Sequence, residues 1–168
     1  MRSGPALGGL LAALLVASAA RSDSPSCAEC RHRGDLSALF VPPRSLGAGW
    51  EILSEAPVDP QGDPDLRATG VRATLSRHYT REVPGGGAEV CSVEIWSFGS
   101  PAEARRARAG MERAGWRFGV HGDLLVMLHG VALRRDGPLR PALLPPCERL
   151  ADLIDARAEE SLRGAAGN

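Results

Sequence analysis

The chain has 168 residues, a formal net charge of zero, and 20 basic residues that balance 20 acidic ones. That length suits one domain, and a pI of 6.9 excludes a basic nucleic-acid module or a binder of anionic membrane surfaces. All basic residues are Arg, which reads as the coding bias of a GC-rich bacterial genome, and 20 Gly with 13 Pro imply generous loops around a modest core.

Arg2 opens a positively charged N-terminus, and Ala6 to Val16 is an apolar run of signal-peptide length, too short to span a bilayer well. Ala17-Ser18-Ala19 supplies a small-x-small cleavage site, and no Cys follows it directly. Residues 1–19 are therefore expected to be a cleaved export signal. The rest is expected in the periplasm or outside the cell, with no stable membrane span. It is long enough to bury roughly two-thirds of its unfolded surface in one core.

Residues 20–34 read as a polar, flexible arm that carries Cys27 and Cys30. Residues 35–163 form the single domain, and residues 164–168 form a disordered tail. Asp35 caps a short turn from Leu36 to Phe40, ended by Pro42-Pro43. Trp50 to Leu53 forms a first strand. Glu55 to Leu66 is then loop, because Pro57, Pro60 and Pro64 with Gly62 break both periodicities. The acids Asp59, Asp63 and Asp65 lack the alternate-position spacing of an EF-hand and read as a solvated loop.

Val71 to Tyr79 alternates as a half-buried strand, with Val71, Ala73, Leu75 and Tyr79 on one face. The turn Val83 to Gly87 joins it in an antiparallel hairpin to Val90–Phe98, where Cys91, Val93 and Ile95 share the inward face. Next comes a helix with Ser100 as N-cap, Pro101 at N1, Glu103 in a capping box and Gly115 after its end. Gly110 falls inside that helix and marks a close packing contact.

Gly122-Asp123 is a two-residue turn. With that turn as the loop, His121 pairs with Leu124 and Trp116 pairs with His129. Trp116, Phe118, Val120, Leu125, Met127 and His129 then share one face, and Arg117, Gly119, His121, Leu124, Val126 and Leu128 the other. The second strand of this hairpin is apolar on both faces and should be central. After a Pro-rich loop, a last helix from Cys147 to Arg163 buries Leu150, Ala151, Ile154, Ala158 and Leu162. It also presents an acidic stripe of Glu148, Asp152, Asp155 and Glu159. The expected fold is α+β, an antiparallel sheet of about five strands flanked by two main helices in the order βββαββα.

Four Cys in an exported chain point to disulfides among Cys27, Cys30, Cys91 and Cys147, with all three connectivities open. Cys27-x-x-Cys30 lacks the preceding strand of a thioredoxin-type site and the adjacent His of a haem site. A metal site would have to draw on Cys27, Cys30 and His32, with Cys91 or Cys147 as the fourth ligand. His121 and His129 lie on opposite faces and share no ligand. No G-x-S-x-G motif, phosphate-cradling Gly loop or apolar carboxylate pair is present, so no catalytic residue is assigned.

Two stretches, Leu39-Phe40-Val41-Pro42 with Leu46-Gly47-Ala48-Gly49-Trp50, and Val93 to Ala104 followed by Gly122-Asp123-Leu124-Leu125-Val126, resemble small exported bacterial domains of the PsbP-like α+β type. The resemblance implies an antiparallel sheet flanked by helices and a binding or accessory role. The expected function is an exported, non-enzymatic domain that binds an unknown protein or small ligand. It is stabilised by disulfides and has no cofactor and no nucleic-acid partner. The alternative is a periplasmic thiol-redox or metal-handling protein using Cys27 and Cys30.

Overall fold

The computed structural model describes residues 31–32, 34–60, 62, 69–111, 115–133, 140–141 and 144–166. The expected signal segment 1–19, Cys27, Cys30, Asp63 and Asp65 lie outside the described residues. The strands are β1 (Glu51–Val58), β2 (Val71–Val83), β3 (Gly87–Phe98), β4 (Trp116–His121), β5 (Leu124–Leu133) and β6 (Arg140–Pro141). The helices are α1 (Pro101–Ala109) and α2 (Pro145–Ala166). Two 3-10 turns, Leu36–Leu39 and Pro43–Leu46, precede β1. The architecture is α+β, as the alternation and capping signals predict.

The sheet order is β1-β2-β3-β5-β4, with β6 pairing β5 and every pairing antiparallel. β3 and β4 therefore run parallel, and the β4–β5 hairpin folds back so that β5 lies between them. Helix α1 makes the crossover. The β4–β5 register is the expected one, Trp116 opposite His129 and His121 opposite Leu124, around Gly122 with a φ of 55°. Leu124 to Leu128 are all buried, as a central strand covered on both faces requires.

One face of the sheet carries the main core. Tyr79, Cys91, Val93, Ile95, Leu124, Val126 and Leu128 meet Leu150, Ala151, Ile154 and Ala158 of α2, with Leu39, Phe40, Val41 and Trp50 closing one end. On the other face a smaller cluster of Val71, Phe98, Leu125 and Met127 receives Ala104 of α1. The small side chains of α1 let it approach the sheet closely.

Four sequence expectations change. β1 runs on through Glu55 to Val58 instead of ending in a loop, because Glu55, Ala56 and Pro57 pair with Arg77, Ser76 and Leu75. Pro57 is tolerated there because β1 is an edge strand, where a missing N–H removes no ladder bond. A bulge in β2 between Val71 and Ala73 puts Val71 beside Phe98 under α1, on the face opposite Leu75 and Tyr79. Helix α1 ends at Ala109, where the Gly110 N–H bonds the Ala107 carbonyl oxygen at 3.3 Å, so this glycine caps the helix and is not internal to it. Helix α2 starts at Pro145 and continues to Ala166, so the first residues of the expected tail are helical.

The N-terminal segment is tied down by specific bonds. Asp35 accepts from the Ser37 N–H at 2.9 Å and caps the first 3-10 turn. The buried Tyr79 hydroxyl donates to the Val41 carbonyl oxygen at 2.8 Å, and Arg157 of α2 donates to the Ala38 carbonyl oxygen at 3.2 Å. The arm is anchored at its end: the His32 N–H donates to Asp123 Oδ1 at 2.8 Å, and His32 Nδ1 lies 2.9 Å from Ser161 Oγ.

Candidate functional site

The sequence places its candidate chemistry on the cysteines. Cys91 and Cys147 form a disulfide with an S–S distance of 2.01 Å, joining the middle of β3 to the first turn of α2. Both residues are 0% exposed, so neither sulfur is open to solvent. The bond closes a loop of 56 residues and pins α2 to the sheet. A thiolate at the α2 N-terminus is therefore absent from this structure. His32, the third residue of the possible metal set, turns its ring toward Ser161, and Cys27 and Cys30 lie outside the described residues. Among the described residues, no three His, Cys, Asp or Glu side chains gather at metal-binding distance.

A charged cluster lies where α2 crosses β4. Arg117, Gly119 and His121 alternate along β4 and face α2. Arg117 donates to Asp152 Oδ1 and Asp155 Oδ2, each at 2.8 Å, and His121 Nε2 lies 2.9 Å from Asp155 Oδ1. Burial alone would raise the Asp155 carboxyl, but the hydrogen bond and charge of His121, joined by Arg117, hold it below the usual carboxylate range. Desolvation opposes the charge on Arg117, and its two aspartates more than offset that. Two residues of the acidic stripe read from the α2 sequence, Asp152 and Asp155, thus meet Arg117 on the edge strand. The arrangement fits a clamp between strand and helix.

The other face of the sheet carries a different arrangement. Directly paired residues share a face, and the pairings Ser54–His78, His78–Ser92, Ser92–His129 and His129–Trp116 join end to end. One transverse row therefore crosses five strands: Ser54 on β1, His78 on β2, Ser92 on β3, His129 on β5 and Trp116 on β4. Its span is about 19 Å, four strand spacings of ~4.8 Å. The next row, toward α1, holds Ala56, Ser76, Glu94, Met127 and Phe118.

Helix α1 packs chiefly on β3, β5 and β4, above Phe98, Leu125 and Met127. Away from it, Ser76, His78, Thr80, Glu94 and His129 are only half-buried and Ser54 is exposed. Ser92 itself is 5% exposed, and its Oγ lies 2.7 Å from His78 Nδ1. That bond fixes the imidazole, and either tautomer leaves Nε2 pointing a donor or an acceptor elsewhere. Ser76 donates to the Ala56 carbonyl oxygen at 3.2 Å. His129 meets Trp116 edge-on at a centroid distance of 4.1 Å.

A Ser–His pair invites a hydrolytic reading, and the backbone argues against it. Ser92 lies mid-strand in β3, which pairs with β2 on one side and β5 on the other. The surrounding N–H groups are committed to the two ladders, so none is free to stabilise an oxyanion. The row is suited to holding a ligand by hydrogen bonds rather than to attacking one.

The sequence separated His121 from His129 correctly, and it did not bring His78, Ser92 and His129 together. The missing information is the non-local β3–β5 pairing, since the β2–β3 and β4–β5 registers each follow from a tight turn.

No protein-family model and no curated protein matches the chain. Among solved structures, the extracellular domain of PknH from Mycobacterium tuberculosis is similar, with a TM-score of 0.51 and 11% sequence identity over 74% of this chain and 94% of that one. At that identity the likeness is one of fold: the chain shares the architecture of an extracellular domain and contains a buried disulfide.

Proposed function

We propose that the chain is an exported binding domain that presents the open half of its sheet to a ligand and performs no covalent chemistry. The observation that carries this reading is the row Ser54–His78–Ser92–His129–Trp116. It sets hydrogen-bonding side chains across one half-exposed face while the opposite face is filled by α2. The buried disulfide, the fold shared with an extracellular domain and the signal-like N-terminus support export. The resemblance of Val93 to Ala104 to exported PsbP-like domains supports the same reading.

The test is a thermal-shift screen of polar small molecules and short peptides against the exported chain and its His78→Gln and His129→Gln variants. A ligand that raises the Tm of the wild type and not of the variants is the expected result. A ligand bound equally by all three proteins would place the site elsewhere and overturn the reading.

A further inference from the structure

We infer that Glu94 and Trp96, on one face of β3, form a site for the guanidinium group of a ligand, an inference that rests on the binding reading above. The first ground is an arrangement the chain uses twice for its own arginines. Arg77 pairs with Glu55 and lies over the Phe40 ring at 4.4 Å. Arg81 pairs with Glu89 and lies over the Trp50 ring at 5.1 Å. Each guanidinium thus joins a carboxylate to an aromatic face, which its flat, delocalised charge suits. Glu94 and Trp96 present the same carboxylate and ring, and no described cation joins them.

The second ground is the state of the two side chains. Glu94 is half-buried, and no described residue bonds its carboxylate. Its lateral neighbours are Met127 and Ser76, whose hydroxyl is committed to the Ala56 carbonyl oxygen. A carboxylate partly withdrawn from water and left without a counter-charge is destabilised, and a matched cation relieves it. The carboxylate is still reachable, since the sealed carboxylate oxygen without a partner belongs to Glu103 and not to Glu94. Trp96 lies two residues on, about 7 Å along the strand, and is half-buried at the edge of the cluster under α1. A guanidinium between the two reaches both.

The third ground is that the chain's own nearby arginines are engaged elsewhere. Arg77 and Arg81 share the face of Tyr79, on the α2 side of the sheet. Arg108 lies over Phe118 and donates to the Met111 carbonyl oxygen. Arg72 turns toward Gly99 and Glu103 at the start of α1. The face therefore repels phosphates and acidic peptides and attracts cations. An ammonium would answer the charge of Glu94 but stack less well on Trp96.

The experiment titrates arginine amide, tetra-arginine, tetralysine and tetraglutamate into the exported chain by calorimetry. The expected result is binding of an arginine probe, tighter than tetralysine, with affinity about tenfold weaker in Glu94→Gln and about threefold weaker in Trp96→Leu. Glu94→Gln should leave the Tm unchanged, because no internal ion pair is lost. Glu82→Gln, at an exposed carboxylate on β2, should bind as wild type does. Tetra-arginine binding at least tenfold tighter than arginine amide would support the inference with a protein segment as the source. Equal affinity would support it with a small guanidino compound as the source. Arginine binding unchanged in Glu94→Gln, or weakened as much in Glu82→Gln, would reduce the attraction to diffuse charge and overturn the inference. Tetralysine binding as tight as tetra-arginine, with Trp96→Leu silent, would overturn the guanidinium assignment. Failure of both arginine probes would overturn this inference alone if the thermal-shift screen yields a ligand lost in His78→Gln.

Discussion

Gly119 and Asp155 fit together because the strand residue has no side chain. A Cβ built on Gly119 would lie 2.8 Å from Asp155 Oδ1 and 2.9 Å from His121 Nε2. The glycine therefore makes room for the carboxylate to reach over β4 and meet His121 and Arg117 together. Gly119→Ala is expected to push the carboxylate off one of those partners and destabilise the chain by ~1–3 kcal/mol. Urea denaturation measures it, and an unchanged midpoint would mean that the helix shifts freely over β4.

The same cluster sets an acid limit. The folded Asp155 carboxyl titrates below its unfolded value of about 3.9, so its contribution is fully present above that pH. It is lost as pH falls from there through the lower folded pKa. Asp155→Asn should be less stable than wild type at pH 7, and the gap should close in strong acid. Denaturation midpoints of both proteins between pH 2 and pH 7 provide the check, and a gap that stays constant would refute the ion-pair account.

Tyr79 is the one tyrosine of the chain, so ultraviolet titration of the phenol reports it alone. Burial drives its pKa above the ordinary value of about 10, against the weaker opposing pull of Arg77. A raised folded pKa means that its contribution is whole below about pH 10 and drains away as pH rises toward the folded value. The expected trace is a late, steep rise in absorbance coincident with loss of near-ultraviolet dichroism. Tyr79→Phe removes the bond to Val41 and is expected to cost ~1–2 kcal/mol.

The disulfide makes a separate prediction. Closing a 56-residue loop contributes about 4 kcal/mol on the chain-entropy model. The Cys91→Ala, Cys147→Ala double variant should lose about that much in guanidinium denaturation. Because both sulfurs are buried, a thiol reductant should open this bond in the native protein only at the rate of unfolding. Mass spectrometry of alkylated cysteines follows that reaction, and rapid native-state reduction of this pair would contradict the packing.

Local chemistry made much of this fold legible. Ser100 and Pro101 start α1 where capping rules put them, and the Gly122-Asp123 turn dictates the β4–β5 register and separates His121 from His129. The stripe Leu150, Ala151, Ile154, Ala158 and Leu162 is buried as its spacing requires. What stayed hidden depends on contacts distant in sequence. Glu55 to Pro57 look like loop until β2 supplies their ladder partners. Val71 changes face because one extra β2 residue is absorbed against β3, which alternation alone does not reveal. The candidate binding row needs β3 beside β5, a pairing set by the α1 crossover and by no local signal. Arg117 and Asp155 lie 38 residues apart in sequence and meet only when α2 docks.

Neighbouring residues in β3 point in opposite directions, so the anchor at Cys91 and the hydroxyl at Ser92 are two sides of one strand. The covalent tie behind the sheet therefore immobilises the surface in front of it. On the proposed binding reading, a ligand arriving on that front would meet side chains backed by a covalently tied strand, and less of its binding energy would go into arranging the receptor. On the same reading, affinity on this face would depend on whether the Cys91–Cys147 bond has formed. A chain kept reduced would retain every contacting residue and still bind more weakly.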